Sequence, residues 1–308
     1  MNLSDKRLIL VVGKGGVGRS TVAAAVAGQL ARSGKRVLLY ETNANDRFGA
    51  YFGKPAVGST PVELTKNLWA VNATPATALA EYGLMILKFK TVYDMVFENR
   101  VTKAFLRAIP GLDDYALLGK AWFHVMEEKR GQPVWDTVVF DMPSSGHSYS
   151  MLRVPWVIAE TVPDGPLTRD ARTIKALLQD PQRTQTLLVT LAEEMPVNEA
   201  IELEAKLTAL GIVPQYLIAN QMYPEHFPVG SPVATILDTL LADPALPTPL
   251  AEVARHGQMS RDRYLLNARY LAEITKRATT PVAELPMVFG DSLVPNDIVA
   301  LGAWLAAS

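Results

Sequence analysis

The stretch from Leu8 to Ser20, LILVVGKGGVGRS, constrains the chain more than any other. Its five apolar residues predict a strand buried on both faces. Gly13, Gly15, Gly16 and Gly18 then free the backbone to turn tightly. The run after Ser20, TVAAAVAGQLARS, is rich in helix formers, and Gly34 stands where such a helix would stop. Strand, glycine loop and helix together make an anion-binding device. Glycines allow backbone N–H groups to converge on a phosphate, and the helix N-terminus adds a partial positive charge. The prediction is an α/β chain that holds a nucleotide at this end.

Two templates fit the stretch. Gly13, Gly18 and Ser20 match the phosphate-loop pattern G-x-x-x-x-G-K-[ST], with Arg19 where lysine is expected. Gly13, Gly15 and Gly18 also satisfy the dinucleotide fingerprint G-x-G-x-x-G, and Glu41 closes the next apolar run, near where that fold keeps its ribose-binding acid. The local pattern leaves both open, so the rest of the chain must decide.

Composition narrows the class. The 308 residues can bury a sizeable core, and 30 Lys+Arg against 31 Asp+Glu produce no global field to recruit nucleic acid or anionic lipid. Cysteine is absent, which excludes disulfides, thiolate catalysis and cysteine-ligated metal. The first strand begins within about six residues of the start, leaving no room for a signal peptide. No apolar run reaches the roughly 18 residues of a membrane span. The expectation is a cytoplasmic chain, and the lack of a clear interdomain linker makes residues 1–308 one domain.

In chain order, VLLY with Glu41 reads as a second buried strand. It is followed by the polar stretch Thr42 to Arg47, at the strand's carboxyl end where open α/β sheets bind ligands. A surface loop capping the next helix is the plainer reading of that stretch. LWAVNA at 68–73 reads as a third strand, and helical patterning runs from about Pro75 to Lys129 as a helical subdomain. Its dense apolar supply between Leu84 and Leu106 fits buried core, or an adaptable surface for an apolar partner. TVVFD ends a fourth strand at Asp141, before Met142-Pro143-Ser144-Ser145-Gly146-His147. An apolar strand ending in aspartate suits a carboxylate that holds Mg²⁺ directly or through water. His147 alone reads as a structural histidine. TLLVT at 186–190, YLIAN at 216–220 and VAELP at 282–286 complete seven strands, and residues 231–277 look like two or three surface helices. Asn220 carries an amide able to read donor and acceptor edges of a base, and an Asx-type turn into Pro224 is its plainer reading.

Together these residues resemble the deviant P-loop ATPases of the ArsA family, which includes the arsenite-pump ATPase and the ATPase that targets tail-anchored membrane proteins. GKGGVGRS is similar to the family's GKGGVGK[ST], whose early lysine, here Lys14, marks the class. DMPSSGH is similar to its switch II segment, and EEMPVNEAIEL at 193–203 with Asn220 to Pro224 is similar to its bacterial branch. A dinucleotide fold would not carry these, so the ATPase reading is preferred. The resemblance implies a mostly parallel sheet of seven or eight strands with helices on both faces and a helical insertion. It implies that Gly15, Gly16, Val17, Gly18, Arg19 and Ser20 wrap the phosphates of ATP, with Ser20 on Mg²⁺ and Thr21 near the α-phosphate. Asp141 would be the switch II carboxylate, reaching Mg²⁺ through water. Asn220 would read adenine, with the loop after Pro286 beside the base. Lys14 would cross a dimer interface to the partner's nucleotide, in a homodimer or a heterodimer with a paralogue, and the 75–130 helices would receive an apolar protein client.

The departures carry weight. Arg19 keeps the charge of the expected lysine, but its planar fork is bulkier. Asn43 stands where the family's switch I aspartate positions the attacking water, and Asp46 is the nearby candidate to replace it. The family's zinc-binding and metalloid-binding cysteines are missing, so neither zinc nor thiolate-bound arsenite is expected. A slow ATPase switch is the first expectation. A pseudo-ATPase subunit paired with an active paralogue is the second, and a nicotinamide dinucleotide oxidoreductase the third.

Overall fold

The computed structural model describes residues 5–42, 45–87 and 111–307. Strand β1 (Leu8–Gly13) leads into helix α1 (Arg19–Arg32), β2 (Val37–Glu41), the single turn α2 (Phe48–Tyr51), β3 (Val62–Thr65), β4 (Leu68–Asn72) and α3 (Pro75–Leu87). After residue 110 come α4 (Leu112–Met126), the short pair β5 (Glu128–Lys129) and β6 (Gln132–Pro133), β7 (Thr137–Asp141), α5 (Ser145–Thr161) and α6 (Pro166–Gln179). The chain continues with β8 (Thr184–Leu191), α7 (Glu194–Ala209), β9 (Tyr216–Met222), α8 (Pro232–Ala242), α9 (Thr248–Arg277), β10 (Val282–Pro286) and α10 (Pro295–Ala307).

Eight strands form one sheet in the order β10-β9-β8-β1-β7-β2-β4-β3, parallel except for the β3–β4 pair. All six residues of β1 are buried, as are all five of β2 and of β7, because helices cover both faces. Successive side chains alternate between two cores. Leu8, Leu10, Val12, Leu38, Tyr40 and Phe140 pack with α4 to α7 on one face. Ile9, Val11, Val37, Leu39 and Val139 pack with α1 and α10 on the other. The alanines of α1 bring its axis close to the sheet. At Gly302 of α10 a Cβ would lie 2.6 Å from the Ala25 carbonyl oxygen, so the two helices meet backbone to backbone there.

All seven strands read from the sequence are present, and the eighth, β3, is an edge strand with Leu64 as its single buried residue. The helical run from Pro75 appears as α3 and α4, while the apolar residues expected between Leu84 and Leu106 lie outside the residues whose side chains are described. Tyr115, Leu118 and Ala121 of α4 are core. Pro155 sits inside α5 without ending it. No described helix is long and apolar enough to cross a membrane.

Candidate nucleotide site

The loop between β1 and α1 lies at the centre of the sheet's carboxyl edge. Gly13 has φ +154°, and a Cβ on it would stand 2.2 Å from the Val189 carbonyl oxygen of β8. Gly18, in the left-handed region at φ +89°, forms the N-cap of α1. No side chain caps this helix and no acidic residue lies in its first turn, so its partial positive charge faces the loop.

Cationic and anionic groups converge at that helix end. Arg19 Nη1 donates to the Gly13 carbonyl and, at 2.9 Å, to the Lys14 carbonyl. Its Nε is buried with no hydrogen-bond partner among the described residues. Burial lowers the Arg19 pKa from its ordinary value, with the Asp141 carboxylate opposing that shift and the Arg47 charge adding to it. Ser20 Oγ donates to Asp141 Oδ2 at 2.6 Å, and both residues are buried. Arg47 Nη1 reaches the same Ser20 hydroxyl at 3.3 Å. Glu41 is paired in register with Asp141 on one side and Asn72 on the other, and all three are buried. Strand alternation turns Glu41 toward the α1 face, as it does Asp141.

These groups fit a metal-bound nucleotide. A hydroxyl and a carboxylate oxygen joined at 2.6 Å are hard ligands of the kind Mg²⁺ takes. The unpaired Arg19 Nε and the bare helix end supply donors for phosphate oxygens.

Thr21, Asn220 and Pro286, far apart in sequence, line one small cleft of about 130 Å³ together with Gln221, Met287 and Val288. Asn220 Nδ2 donates to the Val17 carbonyl at 2.8 Å and so ties β9 to the phosphate loop. A Cβ at Gly18 would lie 2.2 Å from that nitrogen. Gln221 follows with φ +59°, an uncommon backbone for a non-glycine residue.

Other expected residues are placed differently. Lys14 forms an ion pair at 2.6 Å with Glu199 of α7 in its own chain. Asp46 is spent on backbone: its carboxylate accepts from the N–H groups of Phe48, Gly49 and Val57. Positioning a water would require it to give up those bonds. Asn43 lies outside the described residues. His147 Nε2 meets Asp114 Oδ1 at 2.7 Å, joining the start of α5 to the first turn of α4, in line with a structural role. Three residues join the picture that the spacing of motifs did not assign to a phosphate site. Arg47 gave no signal beyond its place in a polar segment, Glu199 lay in the family-like stretch 193–203 without a role of its own, and Glu41 stood out only as the acid of the dinucleotide template.

Comparison with known proteins identifies the family. A family model described as anion-transporting ATPase matches residues 6–163 and 167–229. The chain is 32% identical over 236 residues to the ATPase BagA of Mycobacterium tuberculosis, covering 73% of this chain and 67% of that protein. It is 26% identical over 257 residues to the ATPase GET3 of Kluyveromyces lactis, covering 71% and 73%. With an arsenical pump-driving ATPase of Escherichia coli it shares 28% identity over 239 residues, 70% of this chain and 39% of the pump protein.

Proposed function

Because the chain belongs to the anion-transporting ATPase family, and is thereby an ATPase of P-loop type, we propose that it is a slowly hydrolysing, ATP-dependent dimeric switch acting on a protein client or partner. In this reading Gly15, Gly16, Val17, Gly18, Arg19 and Ser20 enclose the phosphates, and Thr21 lies toward the α-phosphate. Ser20 and, through water, Asp141 would hold Mg²⁺, which when bound offsets charge on the β- and γ-phosphates. The observation that carries the reading is the buried Ser20–Asp141 pair at the N-terminus of α1, with Arg19 folded over the same loop. The dinucleotide alternative loses its acid, because Glu41 is wholly buried beside Asp141 instead of open to a ribose.

The cleft by Asn220 supports adenine over guanine. With Nδ2 engaged by Val17, the amide keeps Oδ1 as an acceptor, which complements the exocyclic amino group of adenine and repels the guanine carbonyl. Pro286 and its neighbours supply an apolar wall. Lys14 keeps its proposed role across a dimer interface, and reaching a partner's nucleotide would mean leaving Glu199. The described parts of the 75–130 helices, α3 and α4, lie on the face opposite α1, and an apolar client there remains part of the proposal.

Calorimetry with ATP, GTP, ADP and NAD⁺, with and without Mg²⁺, tests this function. Tight binding of MgATP, weakened at least tenfold in Arg19→Ala as loss of a charge-assisted contact requires, is the expected result. Preference for NAD⁺, or an Arg19→Ala protein that binds MgATP like the parent, overturns it. Hydrolysis by the purified chain alone separates a self-sufficient ATPase from a subunit that needs an active paralogue.

A further inference from the structure

We propose that Arg47 is a catalytic cation of this site, supplied in cis by the loop after β2, that contacts the γ-phosphoryl group of ATP. The inference rests on the ATP-site reading above and adds a residue that the reading leaves unassigned. The hydroxyl of Ser20 is the point of the loop nearest the β/γ end of the phosphate chain, since it is the group that shares a metal with those phosphates in P-loop sites. Arg47 Nη1 lies 3.3 Å from that hydroxyl. Its guanidinium therefore stands beside the terminal phosphate position, while Arg19 reaches back to the Gly13 and Lys14 carbonyls. Burial is the main cause of the lowered Arg19 pKa, Asp141 opposes it and Arg47 adds to it by a smaller amount, so the two guanidinium groups stand near enough to act on one anionic ligand.

Arg47 is free of the structural duties of its neighbour. Asp46 ties the turn α2 through the N–H groups of Phe48 and Gly49, and the side chain of Arg47 caps nothing. Arg47 itself is exposed.

In the reaction, the oxygen of a water forms a bond to the γ-phosphorus as the bond from that phosphorus to the β–γ bridging oxygen breaks. The electron pair leaves on the β-phosphate of ADP, and the water's protons pass to the released phosphate and solvent. Arg47 neither gains nor loses a proton. Its fork donates hydrogen bonds to oxygens whose charge is redistributed in the transition state, the role an arginine plays when provided in cis in other nucleotide hydrolases.

The test compares wild type, Arg47→Ala and Arg47→Lys by calorimetry with Mg²⁺ and either ADP or a non-hydrolysable ATP analogue, followed by single-turnover hydrolysis. Arg47→Ala is expected to weaken the analogue about tenfold while changing ADP less than about twofold, as one lost charge-assisted contact to the γ-phosphate predicts. Its single-turnover rate should fall about a hundredfold or more. Arg47→Lys should recover analogue affinity better than rate, because an ammonium lacks the bidentate fork. Equal losses for ADP and analogue, or no loss for either, overturn the proposal. Wild type that binds neither nucleotide would instead sink the underlying ATP-site reading, so the two failures are distinct. Thermal denaturation of Arg47→Ala close to that of the wild type, expected because the side chain is exposed and its contact with Ser20 is long at 3.3 Å, keeps the comparison interpretable.

Discussion

Replacing Asn220 by alanine tests how the phosphate loop is held. The Asn220 amide donates to the Val17 carbonyl at 2.8 Å from a nearly buried position. Its removal leaves a buried acceptor unmatched, worth about 1–3 kcal/mol. Taking 2 kcal/mol as the centre, and about 2 °C per kcal/mol for a chain of this size, Asn220→Ala should melt about 4 °C below the parent. In urea the midpoint should fall with the slope unchanged, because the surface exposed on unfolding is nearly the same. The structure adds a sharper check. In Gly18→Ala the new Cβ would collide with Asn220 Nδ2 at 2.2 Å, and the φ of +89° adds strain of about 1–2 kcal/mol. Truncating Asn220 removes the collision but leaves the strain. The double variant Gly18→Ala/Asn220→Ala should therefore be more stable than the two single losses summed, by at least about 0.5 kcal/mol. An Asn220→Ala protein that melts with the wild type, or a strictly additive pair, would refute the idea that Asn220 braces this loop.

Three further outcomes are expected. Lys14→Ala should lose nucleotide-dependent dimerisation in sedimentation while the monomer still binds ATP, and Glu199→Gln, which frees Lys14 from its 2.6 Å partner, should dimerise at lower nucleotide concentration. A wild-type chain that stays monomeric at saturating nucleotide, alone and with its paralogue, counts against both. Turnover should lie about a hundredfold or more below the common enzyme value of about 10 per second, and Asn43→Asp should raise it with little effect on ATP affinity. Fast hydrolysis that survives both Asn43→Ala and Asp46→Ala would show that the water is positioned elsewhere. Burial lowers the His124 pKa, although its contact with Glu127 acts in the opposite sense. The unfolded chain then takes up a proton first. Stability should fall as pH drops below the ordinary histidine value of about 6.5, and level off once the folded pKa is passed. His124→Gln should narrow the difference in melting temperature between pH 7.5 and pH 5.5, and an undiminished difference would exclude His124 as its source.

What was legible in the sequence depended on how local the determinant is. β1, β2 and β7 are buried on both faces, so their residues are continuous apolar runs that announce themselves. β3 escaped because an edge strand with Leu64 alone buried needs no such run. The phosphate loop and the start of α1 were visible because Gly13, Gly18, Arg19 and Ser20 are contiguous. That Asn220 and the loop after Pro286 lie together was expected from the family pattern, not from spacing; that Thr21 lines the same cleft was not foreseen. The ion pair of Lys14 with Glu199 and the contact of Arg47 with Ser20 were hidden, since each joins segments whose approach is set by the sheet order. Asp46 shows the converse: a carboxylate suited by type to water chemistry is bound to the backbone N–H groups of Phe48 and Gly49 in the adjoining turn and of Val57 beyond it. Residue type named the candidate, and loop geometry assigned the task.

The central place of β1 carries a consequence for how the chain is made. Its hydrogen-bonding neighbours are β7 and β8, and α1 packs against α10. During synthesis LILVV leaves the ribosome well before the strands that flank it, residues 137–141 and 184–191, and before the helix at residues 295–307 that packs on α1. A bare apolar strand must wait for partners more than 120 residues downstream, the kind of delayed long-range pairing that slows folding and exposes aggregation-prone surface. Val189, whose carbonyl abuts Gly13, and Asn220, which ties down Val17, also arrive late. The phosphate cradle therefore closes only after β9 has been made, and a nascent chain shorter than that cannot borrow nucleotide to stabilise itself.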